Sequence, residues 1–146
     1  MGPKYPTNRY VVVLLLVMVA LVGASGLPLG RWNVHIVNKL NNDVLAVHCK
    51  SKDNDLRYQR LVPGADFHWS FRVNVWGTTL FWCNLQKSSA YASFDTFWPE
   101  SKNQWLRYRC TDRTKGNCIW TAKDDGIYLK NIPDNVEELV HKWTSS

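Results

Sequence analysis

Most of the signatures that announce an enzyme are missing from these 146 residues. There is no Gly-x-Ser-x-Gly elbow, phosphate loop, dinucleotide fingerprint or His-Glu-x-x-His pair, so nothing signals a hydrolase, nucleotide-binding or zincin site. No Cys-x-x-Cys pair occurs, which argues against a structural zinc site. Without an Asn-x-Ser/Thr sequon, N-linked glycans are not expected. Internal repeats, low-complexity tracts and long linkers are also lacking, which excludes arrays and points to one domain. Charge is scarce too. The net value is +6, and setting aside Lys4 and Arg9 near the start leaves 16 basic against 12 acidic residues, about +4. Nucleic-acid binding calls for a denser basic stripe, whereas an acidic wall polymer, anionic lipid or acidic receptor loop suits so mild a charge.

What the chain does have begins with a leader. Lys4 and Arg9 precede the apolar run Val11 to Val22, and Gly23-Ala24-Ser25-Gly26 supplies small residues for signal peptidase. This layout predicts a removed signal peptide over residues 1–25 and one secreted, extracellular domain over residues 26–146, with no stable membrane insertion after cleavage. Cys49, Cys83, Cys110 and Cys118 all lie in the mature part. An even number behind a signal peptide reads as two disulfides. Three pairings are open; Cys49 with Cys118 and Cys83 with Cys110 is the preferred one, on the argument that separated strands need stapling.

From residue 32 onward the apolar residues recur with period two. Trp32, Val34 and Ile36 alternate with Asn33, His35 and Val37; after the turn Asn41-Asn42-Asp43, Leu45, Val47 and Cys49 alternate with Ala46 and His48. Phe67, Trp69 and Phe71 follow the turn Pro63-Gly64, and Thr79 to Cys83 follows Trp76-Gly77. Further short strands are expected near Tyr91 to Phe97, Trp105 to Cys110, Cys118 to Thr121 and Gly126 to Lys130. The pattern predicts an all-β fold, a small disulfide-stapled antiparallel β-sandwich. A short C-terminal helix is expected after Pro133-Asp134, where Val136, Leu139, Val140 and Trp143 would share a face.

His35, His48 and His68 are the obvious catalytic suspects, but strand parity turns all three outward and nothing in the spacing makes them meet. They read as ordinary surface histidines. Asp53-Asn54-Asp55 fails as an EF-hand because Arg57 and Tyr58 occupy the fifth and sixth places, so it reads as a turn or strand entry. No cofactor, metal or catalytic residue is expected. Among the eight tryptophans, Trp32, Trp69 and Trp120 fit a core, while Trp76, Trp98, Trp105 and Trp143 lie near turns or ends. An exposed indole anchors protein partners or stacks on sugars, and Lys102, Arg107, Arg109, Arg113 and Lys115 make that region electropositive.

The ordered landmarks Val34-His35-Ile36-Val37-Asn38, His48-Cys49-Lys50-Ser51-Lys52-Asp53-Asn54-Asp55-Leu56, Phe67-His68-Trp69-Ser70-Phe71, Trp76-Gly77-Thr78-Thr79-Leu80-Phe81-Trp82-Cys83, Phe94-Asp95, Cys118-Ile119-Trp120 and Asp125-Gly126-Ile127-Tyr128-Leu129 resemble the plant self-incompatibility family, the stigmatic S-proteins of poppy and their homologues. The resemblance implies a secreted, non-enzymatic β-sandwich. In poppy such proteins act as ligands of a pollen membrane partner in the rejection of self pollen. For this chain it implies a signalling ligand of a cell-surface protein; a monomer is expected, and a wall or defence protein binding acidic glycans through exposed tryptophan and basic residues is the rival. The sequence departs from the family at Arg57, where glycine is usual, and in the tail from Asn131 to Ser146, expected to run beyond the family's end. Two polar segments are the candidate contacts, since loops vary without disturbing a core. One is the loop Asn84 to Ser89, with Asn84, Gln86, Lys87, Ser88 and Ser89. The other is Pro99 to Gln104, with Glu100, Lys102 and Asn103.

Overall fold

Apolar alternation becomes strand wherever one face has a core to cover. The computed structural model describes residue 13, residues 30–112 and residues 115–146; the expected signal segment, residues 1–25, otherwise lies outside them. Among the described residues from 30 onward, eleven strands and one short helix follow in order: β1 (Trp32–Asn38), β2 (Leu45–Ser51), β3 (Asp55–Leu61), β4 (Asp66–Phe71), β5 (Phe81–Lys87), β6 (Ala90–Phe97), α1 (Trp105–Cys110), β7 (Thr111–Asp112), β8 (Lys115–Lys123), β9 (Gly126–Asn131), β10 (Val136–His141) and β11 (Thr144–Ser145). They form two sheets. The first runs β10-β9-β8-β1-β4, with β7 beside β8, and the second runs β11-β6-β5-β2-β3.

The expected all-β sandwich is the observed fold, with one exception to antiparallel pairing. β1 lies parallel to β8, Trp32 opposite Gly116 and Ile36 opposite Trp120, so the first strand sits inside its sheet between β8 and β4. Aromatic rings from the two sheets meet across the interior. Trp32 packs on Phe97 at 5.0 Å between ring centroids, Phe71 on Phe81 and Phe97 at 4.6 Å, and Phe94 on Trp120 at 5.0 Å. The Trp120 indole also donates to the Thr96 carbonyl at 3.0 Å, which satisfies its buried N–H and ties β8 to β6. Gly116 makes room for Trp32: a Cβ there would lie 2.3 Å from the indole.

One buried polar side chain organises the end of the sandwich. Asn38 is fully buried; its amide donates to the carbonyls of Asp43 at 2.9 Å and Leu61 at 2.8 Å, and its oxygen accepts from the Leu40 amide at 2.9 Å. Three chain segments therefore share one fully bonded hub. The Pro63-Gly64 turn behaves as expected, with Gly64 at φ 87° and Ala65 N donating to Val62 O at 3.0 Å.

Four expectations need correction. The disulfides are Cys49–Cys83 and Cys110–Cys118, with Cα separations of 4.1 and 4.7 Å, rather than Cys49–Cys118 and Cys83–Cys110. Cys49 lies directly opposite Cys83 on neighbouring strands of the second sheet, while Cys118 belongs to the first sheet and is reached from the end of α1. The bridges therefore join close neighbours instead of distant strands. Trp105–Cys110 is helix, not strand: Leu106 and Cys110, four apart, are its buried residues, and Asn103 Oδ1 accepts from Trp105 N at 2.8 Å at its start. The expected C-terminal helix is strand β10, entered through the turn Ile132 to Asn135, with Asn135 at φ 53°. Strand β3, which the sequence pattern did not show, pairs with β2 along the edge of the second sheet.

Candidate interaction surfaces

Histidine placement follows from parity and register. His35 on β1 and His68 on β4 are cross-strand partners, their rings stacked at 4.9 Å, and Asp66 shares the outward face of β4. His35 Nδ1 lies 2.9 Å from Asp66 Oδ2, and His68 Nδ1 lies 3.8 Å from Asp66 Oδ1. His48 is elsewhere, on the second sheet, and is not the surface histidine that parity predicted: it is 7% exposed. Tyr58, its partner across β3, covers the ring at 3.9 Å, and Asp55 Oδ1 lies 2.7 Å from Nε2.

The cover depends on a bulge. Between His48 and Lys50 the pairing slips by one residue on β3, and Arg57 takes φ 67°, a left-handed conformation that glycine adopts without cost. The bulge turns the Arg57 amide onto Asp55 Oδ1 at 2.8 Å. That backbone bond first, and the His48 bond second, hold the Asp55 carboxyl below its ordinary range.

The two candidate segments lie at opposite ends of the β5–β6 hairpin, about 20 Å apart for a strand of this length. In the first segment, Asn84 and Gln86 are strand residues of β5 rather than loop residues; both are exposed. They line an open groove of about 470 Å³ on the outer face of the second sheet, together with His48, Tyr58 and Tyr91. Lys87, Ser88 and Ser89 are engaged within the chain. Lys87 Nζ donates to the Asp124 carbonyl at 3.0 Å and lies over the Trp143 ring. The Ser88 hydroxyl and amide donate to Asp43 Oδ2 at 2.6 and 2.8 Å, which holds the Asp43 carboxyl down, hydroxyl first. Ser89 O accepts from Ser146 N at 3.3 Å.

At the other end, the Pro99 to Gln104 segment lies beside the loop 72–80, where Thr79 and Leu80, expected in a strand, precede the start of β5 at Phe81. Glu100 pairs with Arg107, Asn103 starts the helix, and Lys102 is exposed. The loop is built from its own side chains. Asn74 Oδ1 accepts from Thr78 N at 2.9 Å, Asn74 Nδ2 donates to Thr78 Oγ1 at 2.8 Å, and Asn74 N donates to Thr79 Oγ1 at 2.9 Å. Gly77 closes the turn at φ 64°, where an added Cβ would lie 2.7 Å from Ser101 Oγ. The result presents Val75 and Trp76 at the tip, 92% and 83% exposed. The signal for this site was in the sequence: an Asn-x-x-Gly-Thr-Thr turn around an apolar pair.

Trp98 and Trp105, the other tryptophans placed near turns, are partly buried and stack at 6.1 Å beside a cleft of about 460 Å³ that Asp95, Asn103 and His141 also line. Arg109 lies over Trp105 at 4.1 Å. Burial holds the His141 imidazole below its ordinary value, against a smaller opposing pull from Asp95.

Sequence comparison places these features in a family. Arabidopsis thaliana S-protein homolog 74 is 37% identical over 118 residues, covering 80% of this chain and 74% of its own, and Self-incompatibility protein S1 of Papaver rhoeas is 31% identical over 113 residues, covering 74% of each. A solved structure described as that of "SPH (Self-Incompatibility Protein Homologue) proteins, a widespread family of small, highly stable, secreted proteins from plants" superposes with a TM-score of 0.59 at 19% identity, over 80% of this chain and 96% of the other, and shares the fold. The family model described as "Plant self-incompatibility protein S1" matches residues 33–143, so the tail expected to run beyond the family's end lies almost wholly inside it. The chain belongs to the plant self-incompatibility S1 family.

Proposed function

We propose that this protein is a secreted, non-enzymatic ligand of a cell-surface protein, and that it contacts that partner through the end of the sandwich formed by loop 72–80 and segment 99–104. The observation that carries the reading is the self-bonded loop that holds Val75 and Trp76 in solvent. A solitary exposed apolar side chain is commonplace, but an adjacent Val-Trp pair on a loop fixed by three hydrogen bonds of Asn74 is preorganised for contact. Tryptophan is among the residues that dominate binding energy when buried at the centre of an interface. Glu100 and Lys102 would lie on the polar rim of that contact, whereas Asn84 and Gln86 belong to a separate surface. The relatives' self-incompatibility names and the description of a structural relative as secreted support an extracellular signalling role.

A second reading, a wall glycan held in the Trp98–Trp105 cleft, is favoured by the stacked indoles with a cation beside them. Labelled protein, with both disulfides formed, separates the two when applied to pollen tubes and other plant cells. Receptor recognition predicts saturable binding that is lost after protease treatment of the cells, tolerates added salt and falls at least about tenfold in Trp76→Ala. Binding that survives protease, follows purified wall polymers and is unaffected by Trp76→Ala would overturn the receptor reading.

A further inference from the structure

We propose that His35, Asp66 and His68 form a binding site for a divalent late first-row metal ion of the zinc class on the outer face of the first sheet. The site is separate from the proposed receptor contact and does not depend on it.

Register creates the cluster. Asp66 and His68 are two apart on β4, so both side chains leave the same face, and His35 stands directly across on β1. The three donor atoms lie within 4.8 Å of one another. A tetrahedral zinc ion with bonds near 2.1 Å needs its donors about 3.4 Å apart. A single oxygen, Asp66 Oδ1, lies 3.2 Å from His35 Nδ1 and 3.8 Å from His68 Nδ1, which bracket that value, and the exposed His68 ring is free to turn towards it. Two aromatic nitrogens and one carboxylate oxygen suit zinc or copper, and they are poor partners for calcium or magnesium, which take oxygen shells. Three protein donors leave the fourth tetrahedral position facing solvent, available to water.

The placement has a mechanical meaning. β4 is the edge strand of its sheet, with β1 as its neighbour in the ladder. An ion held by His35 on one side and by Asp66 and His68 on the other would clamp that edge. The alternative is that the His35–Asp66 bond ties the two strands by itself and recruits nothing.

Calorimetric titration decides between them. Untagged protein recovered from the medium of expressing cells and stripped with a chelator is titrated with zinc chloride. Saturable one-to-one binding is expected, weakened at least about tenfold by His68→Ala and by Asp66→Asn and unchanged by His48→Gln. Zinc should also raise the Tm of the unaltered protein and not that of His68→Ala, while calcium and magnesium chloride do neither. Because His68 and Asp66 are exposed, these variants are expected to fold, and near-ultraviolet circular dichroism checks it. An absence of saturable zinc binding, or binding that His68→Ala and Asp66→Asn leave unaltered, would sink the proposal.

Discussion

The two outer faces of the sandwich carry the same ingredients in opposite states. Each sheet sets a histidine of an inner strand across from an edge strand, His35 facing His68 on β4 and His48 facing Tyr58 on β3, and each histidine meets an aspartate of that edge strand. On the second sheet the pair is closed: the imidazole is covered by Tyr58, and Asp55 is occupied by His48 and the Arg57 amide. On the first sheet it is open, with Asp66 and His68 in solvent. Strand parity is identical in the two cases. The difference lies in the edge strand, where one bulge and one tyrosine convert an outward histidine into a buried one.

The largest effect should come from removing what lies beneath the closed face. Cys49, next to His48, is bonded across the ladder to Cys83, and the chain between them spans 34 residues against 8 for Cys110–Cys118. Loop-closure entropy then predicts a cost of about 4 kcal/mol for replacing the first pair by serine and about 2.5 kcal/mol for the second, compared by urea unfolding. An equal cost would remove the entropic reason for ranking them. Next comes His48→Ala, which strands Asp55 and opens a gap under Tyr58. A loss of about 1–2 kcal/mol is expected, against under about 0.5 kcal/mol for His68→Ala on the open face. Equal losses from the two variants would show that closure of the face contributes nothing.

Acid titration sharpens the contrast further. The folded Asp55 carboxyl sits below its ordinary value of 3.8, so its contribution is fully present above that value and is lost as the pH falls through the lowered folded value. His48→Ala should shrink this acid loss. The half-buried His141 adds an earlier slope: its stabilising effect is complete above 6.5 and declines as the pH falls from there through its lowered folded value, and His141→Gln should remove that slope from unfolding curves taken between pH 7 and 5. The smallest effect is a gain. Arg57→Gly keeps the amide bond to Asp55 and relieves the left-handed backbone, worth about 0.5–1 kcal/mol in thermal unfolding once the looser unfolded chain is counted.

The sequence made most of the sandwich legible where a strand has one face on the core. Trp32, Val34, Ile36, Leu45, Val47 and Cys49 are all buried as their alternation implied. It was illegible where two periods fit the same residues. In Trp105–Cys110, Leu106 and Cys110 are spaced for a strand face and also for one helical turn, and six residues cannot discriminate. In Val136–His141 the register shift between Leu139 and His141 inserts Val140, which mimics the three-and-four spacing of a helix. β3 was hidden by the Arg57 bulge and by the polar composition that edge strands tolerate. The Asn84 to Ser89 segment looked like a loop because its side chains are polar, but alternate polar residues of β5 face water. The meeting of His35 with His68 required the β1–β4 register, which no local pattern carries.

The parallel pairing of β1 with β8 sets an order in time. Trp32 opens β1, yet its ladder partner and the space for its indole are supplied by the segment around Gly116, near the far end of the chain. The hairpin of β5 and β6 is local and available to form early, whereas the middle of the first sheet stays unsealed until β8, ending at Lys123, is present. The opening strand can therefore join β4 early, but it waits for β8 before it is enclosed on both sides.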